Sequence, residues 1–100
     1  MKAEKKMDVT LKFLGALRHS AGRDAISLHC KIEISVLDLL NSLAKNMCDL
    51  RRNLLDEQFE IPKPSALILV NGKEISILNG LDTKVKNGDE IVFVPVVHGG

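Results

Sequence analysis

The stretch best equipped for chemistry is the last one, "FVPVVHGG", residues 93–100. An apolar run reaches Val97, and only His98, Gly99 and Gly100 follow it. Terminal strands ordinarily fray into polar residues, so a Gly-Gly ending asks for another reason. Glycine has no Cβ, and two of them together can thread a narrow channel and take backbone angles closed to other residues. Fully extended, the last four residues would reach about 13 Å beyond a sheet. Such an end can present the α-carboxylate of Gly100 inside a partner's active site. Adenylation there would activate the carboxylate for transfer to a nucleophile.

The remaining reactive side chains are scattered. Cys30 and Cys48 show no C-x-x-C spacing and no paired histidines beside them; they read as two buried thiols rather than a disulfide or a metal pair. His19, His29 and His98 fall in three different segments, which argues against a zinc site. His29 reads as solvated surface, and His98 as a tolerated residue of the tail. The expectation is that the protein has no metal and no cofactor of its own.

The totals narrow the partners. One hundred residues make one domain, and 45% hydrophobic residues supply a core without staples. Fourteen basic against thirteen acidic residues, with no Trp and no Tyr, give neither a basic field nor a base-stacking platform, so direct nucleic-acid binding is not expected. No apolar run approaches the roughly 18 residues of a membrane span. The start, "MKAEKKMDV", is charged and lacks the apolar core of a secretory signal. Residues 1–7 read as a flexible leader, 8–97 as the domain and 98–100 as a protruding tail, in a cytoplasmic protein.

Positioning that tail takes a sheet. "DVTLKFL", residues 8–14, alternates Val9, Leu11 and Phe13 against Thr10 and Lys12, as a half-buried strand does. "GALRHSAGRD" reads as a hairpin loop, and "AISLHCKI" as a second strand with Ile26, Leu28, Cys30 and Ile32 inward. In "SVLDLLNSLAKNMC", Ser35 and Asp38 make a capping box. Val36, Leu40, Leu43, Ala44 and Met47 then form a helical stripe widened by Leu37 and Leu39. The helix is expected to run on through "DLRRNLLDEQF" until "IPKP" stops it. "ALILVNGKEISIL" reads as a strand, an Asn71-Gly72 turn and a return strand. "NGLDTKV" is a connector, and a second Asn-Gly turn in "KNGDE" launches the last strand, "IVFVPVV".

"ALILV" and "IVFVPVV" are apolar on both faces, as central strands are. One helix covers one face. The other is left as a partner surface, unless the 49–64 segment folds over part of it.

The order of elements, "VNGKEI", "LNGLDTKVKNGDEI", Pro95 in the last strand and the terminal Gly99-Gly100 together resemble the β-grasp sulfur carriers. That family includes the small subunit of molybdopterin synthase, the thiamine-pathway sulfur carrier and the ubiquitin-related modifiers of archaea and eukaryotes. The resemblance runs from about Asp8 to Gly100. It implies an α+β, ubiquitin-like β-grasp fold, with one main helix on one face of a mixed sheet of four to five strands. The first and last strands would lie parallel at its centre. By the same resemblance Leu67, Leu69, Val92 and Val94 point outward and, with Val96, bind the partner, while Ile68, Val70, Ile91 and Phe93 enter the core.

The resemblance also implies a mechanism. A ubiquitin-activating-like enzyme, using ATP and Mg²⁺, adenylates Gly100, and a sulfur donor converts it to a thiocarboxylate. The sulfur then goes to molybdopterin, thiamine or a tRNA base, or the activated end is joined to a lysine of a target protein. The chain would be a cosubstrate whose partners hold the catalytic residues. His98-Gly99-Gly100 resembles the tail of the eukaryotic ubiquitin-related modifier and favours tRNA thiolation or tagging. The alternative is the small subunit of molybdopterin synthase acting with its large subunit, whose tail commonly has two prolines where this chain has Pro95 followed by Val96 and Val97. An alternative of another class is a passive β-grasp interaction module.

Overall fold

Period-two alternation carries straight into the first strand. β1 (Met7–Phe13) turns Val9, Leu11 and Phe13 into the core, each almost wholly buried, and leaves Lys12 exposed. The computed structural model describes residues 7–30, 33–44, 54–56 and 63–96. The strand begins at Met7, so the last residue of the expected leader belongs to the sheet; residues 1–6 and 97–100 lie outside the described residues.

The expected hairpin loop contains a helix. α1 (Leu17–Ala21) sits between β1 and its antiparallel neighbour β2 (Ala25–Cys30). Leu17 and Ala21 are four residues apart, share one helical face, and are both buried. That apolar pair is enough to dock a single turn, which ends where the Gly22 N–H donates to the Arg18 carbonyl at 2.8 Å. In β2, Ile26 and Leu28 are half-buried against the core rather than sunk in it, because β2 is one of the two edge strands of the five-stranded sheet. The inward placement of Cys30 and Ile32, and all of Cys48, lie outside what the structure describes.

β3 (Ile34–Ser35) leads into α2 (Val36–Ala44). The capping box forms: the Ser35 Oγ accepts from the Asp38 N–H at 3.1 Å, and the Asp38 carboxylate accepts from the Ser35 N–H at 3.4 Å. Val36, Leu39, Leu40 and Leu43 are buried and Leu37 half-buried; the side chain of Ala44 and all of Met47 lie outside the described residues. Ser35→Ala should cost about 1 kcal/mol, the usual value of such a cap. The measurement is a lowered urea midpoint at unchanged denaturant slope.

The helix does not continue through residues 55 and 56. β4 (Leu55–Asp56) pairs antiparallel with β5 (Lys63–Pro64), where Pro64 favours extended backbone at Lys63. Leu54 is fully buried in the main core.

β6 (Ala66–Val70) and β7 (Lys73–Glu74) form the expected Asn-Gly hairpin. Asn71 at φ 52° and Gly72 at φ 84° give the left-handed pair that a two-residue turn of this kind requires. The return strand stops at Glu74, earlier than expected. The Glu74 carboxylate accepts from the Ser76 N–H, the chain winds into a 3₁₀ turn at Ile75–Ile77, and Ile75 drops into the core. A second 3₁₀ turn, Gly80–Asp82, precedes β8 (Lys84–Val85), which pairs with β3. The connector is therefore partly a strand.

β9 (Glu90–Pro95) closes the sheet, whose order is β2-β1-β9-β6-β7. It runs parallel to β1 and antiparallel to β6, so the sheet is mixed. Phe13 faces Phe93 in register, and their rings stack with centroids 5.3 Å apart. Ile68 lies across from Phe93 on the other side. This row and the buried stripe of α2 belong to one core cluster.

Candidate functional site

Two ties fix the start of β9, and with it the direction of the strand. Asn71 accepts from the Glu90 N–H and donates to the Asp89 carboxylate, both at 2.9 Å. Gly88 donates to the Asp8 carbonyl at 2.8 Å, and Asp8 donates to the Asn87 side chain at 2.9 Å. At the far end, Pro95 pairs with Ala66, the strand stops, and Val96 is 47% exposed. The expected last strand through Val97 is thus shorter than the sequence pattern. Val97, His98, Gly99 and Gly100 lie outside the described residues, so the site is described from its root.

Beside that root lies an apolar face. Cross-strand pairing sets Leu67 against Val94 and Leu69 against Val92, and partners that face each other share one side of the sheet. The core side belongs to Ile68, Val70, Ile91 and Phe93, all buried. The other side holds Leu67, 37% exposed, and the half-buried Leu69, Val92 and Val94. Lys12 and Glu90, paired at 2.9 Å, and Glu74, in register with Leu69, border it. An apolar centre with a charged rim is the usual anatomy of a protein interface. Leu14, 45% exposed, belongs to the same end of the sheet, since its N–H donates to the Phe93 carbonyl. Sequence reading had given it no role, although strict alternation after Phe13 already points it outward.

A cleft of about 350 Å³ opens where this face meets the root of the tail, between Leu67, Glu74, Ile75, Gly80, Leu81 and Val96. Sequence reading missed it because its floor depends on the chain leaving the sheet after Glu74. The clue was an apolar "ISIL" too long for a two-residue partner strand.

The described residues contain no group of three His, Cys, Asp or Glu side chains able to hold a metal ion. His29 is exposed, and its Nδ1 pairs with the Asp8 carboxylate opposite it in β2 and β1. No described helix is long and apolar enough to cross a membrane. Among the described residues, the geometry is a partly exposed apolar face beside the end of the last strand.

Comparison with known proteins agrees with that geometry. The model of the Urm1 (ubiquitin related modifier) family matches residues 8–100. Small archaeal modifier protein 3 of Haloferax volcanii is 31% identical over 94 residues, covering 94% of this chain and all of that protein. Ubiquitin-related modifier 1 homolog 2 of Arabidopsis thaliana is 34% identical, with 94% of this chain and all of that protein covered. Among solved structures, small archaeal modifier protein 1 of Methanosarcina acetivorans superimposes with a TM-score of 0.76 at 35% identity, over 96% of this chain and 99% of that one. With a mixed five-stranded sheet, a helix after its second strand and a family match over residues 8–100, the chain belongs to the Urm1 family of ubiquitin-like β-grasp proteins.

Proposed function

We propose that this protein is a ubiquitin-like sulfur carrier and protein modifier that works through the carboxylate of Gly100. One observation carries the reading. The family match runs through Gly100, and the last strand ends at Pro95 beside a partly exposed apolar face of Leu67, Leu69, Val92, Val94 and Val96. A partner can hold that face and receive the tail in one docking event. The relatives named as modifiers support the second half of the role.

The chemistry belongs to the partner. An activating enzyme of the ubiquitin-activating type binds ATP and Mg²⁺. A Gly100 carboxylate oxygen attacks the α-phosphorus, and pyrophosphate leaves. The terminal sulfur of a donor persulfide then attacks the acyl carbon and AMP departs, giving an acyl disulfide; a second donor thiolate attacks the donor-side sulfur, which releases the thiocarboxylate and leaves a disulfide on the donor. A lysine amine attacking the same acyl carbon gives an isopeptide bond instead. This chain supplies the docking face, through Leu67, Leu69, Val92, Val94 and Val96, and an end without side chains. It acts as a cosubstrate in the cytoplasm.

Incubation with the activating enzyme, ATP and a sulfur donor should raise the intact mass by one oxygen-for-sulfur exchange. A chain lacking Gly100 should not change, and neither should one extended by a residue beyond it. A passive interaction module would tolerate the extension. Sulfur on the truncated chain would overturn the assignment to Gly100.

A further inference from the structure

We infer that Gly15 is a positioning residue for the tail, a bearing surface against which Pro95 fixes the direction in which the reactive end leaves the sheet. The inference rests on the carrier reading above.

Pro95 is the last residue of β9 and is held on one side by pairing with Ala66. On the other side β1 has already ended, and the pyrrolidine ring lies against the α-carbon of Gly15 instead. A Cβ built on Gly15 would stand 2.9 Å from the Pro95 Cγ and 3.6 Å from its Cδ. The first distance is too short for carbon atoms, so one partner would have to move.

Gly15 is the less free of the two. Its carbonyl accepts from both the backbone N–H and the Nε of Arg18, at 3.2 and 3.3 Å. Its predecessor Leu14 donates to the Phe93 carbonyl at 3.0 Å, and Leu17 donates to the Leu14 carbonyl at 3.2 Å. Leu17 and Ala21 anchor the following helix in the core. Pro95 has no N–H with which to hold its place in the ladder, and it stands at an open strand end. A side chain at position 15 therefore displaces Pro95. The ring yields by repuckering or by carrying the backbone with it.

Five residues follow Pro95, and the last of them carries the reacting carboxylate. A root that sends Val96 off in another direction alters what the partner receives, and a misplacement of about an ångström can cost up to about a hundredfold in rate when the reacting group must be aligned. Of the docking face only Val96 lies beyond Pro95; Leu67, Leu69, Val92 and Val94 keep their places in the paired strands. The effect should appear in kcat for sulfur loading rather than in the KM for the carrier.

Gly22 provides the control. It too is left-handed, at φ 78° against 56° for Gly15, but nothing stands within 4 Å of an added Cβ. Gly22→Ala therefore incurs the same backbone strain without touching Pro95. The expected result is a fall in kcat of about tenfold or more for Gly15→Ala, no fall for Gly22→Ala, and recovery when Gly15→Ala is combined with Pro95→Ala, to the level of Pro95→Ala alone. Gly15→Asn serves if the alanine variant folds poorly, since asparagine accepts left-handed backbone more readily and keeps the offending Cβ. Equal kcat for the Gly15 and Gly22 variants, or no recovery in the double variant, overturns the inference. Wild type that takes up no sulfur defeats the carrier reading instead. Amide chemical shifts of Val96 and Val97 then decide the inference alone: they must move in Gly15→Ala and stay in Gly22→Ala, and shifts that fail to move overturn it.

Discussion

Ile68→Asp should unfold the domain, and Leu69→Asp, one residue along, should leave it folded but detach it from its activating enzyme. Ile68 has no exposed surface and lies opposite Phe93, whose ring stacks on Phe13. A carboxylate there loses its water and finds no partner, which costs several kcal/mol, roughly. The loss of apolar burial adds about 2 kcal/mol. Small domains hold about 5–15 kcal/mol in all, so the cooperative melt should vanish or fall far. Leu69 is half-buried on the opposite face, across from Val92. An aspartate there keeps its hydration and costs about 1 kcal/mol, the span of strand preference in a sheet. Placed in the middle of an apolar docking face, it should weaken association by about 2 kcal/mol or more, as interface anchors do. Thermal melts and titration of the activating enzyme measure the two effects. Unfolding by Leu69→Asp with tolerance of Ile68→Asp would mean the faces are reversed.

The same pair of residues explains how much of the fold can be read without coordinates. Strict alternation cannot tell one face of "ALILV" from the other, because both are apolar; the β-grasp resemblance, not the period, assigned Ile68 inward. β1 needed no such help, since Lys12 and Thr10 break its outer face. The capping box at Ser35 and the Asn71-Gly72 turn were legible because each is a local motif whose hydrogen bonds or backbone angles involve a few adjacent residues. α1 was not, because its five residues carry a single apolar pair, Leu17 and Ala21, and a pattern that short is lost among turn residues. β3 and β8 escaped for a related reason. Two-residue strands have no period to show, and they exist because the chain brings Ile34 against Val85. For the site, the outward face was legible through the resemblance. The cleft beside Val96 and the contact between Gly15 and Pro95 were not, since each joins segments far apart in sequence.

A protein tagged by this chain should carry a remnant unlike the short Gly-Gly mark left by trypsin on many ubiquitin-like conjugates. The last basic residue is Lys86, so trypsin should cut after it and leave "NGDEIVFVPVVHGG", Asn87–Gly100, on the target lysine. In the folded carrier Lys86 is exposed, and its own N–H donates to the Asp89 carboxylate at 2.7 Å in the turn that opens β9. Cleavage there requires denaturation first, because β9 is paired on both sides and does not enter a protease as an extended strand. Conjugates from cells expressing the full chain, unfolded in urea before digestion, should therefore yield branched peptides with this remnant on several proteins. Deleting Gly99 and Gly100 should remove every one of them, because the acyl carbon that the lysine attacks is then never activated. Native digestion of the same conjugates should give the remnant in much lower yield. Higher-mass species that carry no branched peptide after full denaturation would be something other than isopeptide conjugates. The chain would then act through its thiocarboxylate alone, with the sulfur and not the protein as the group transferred.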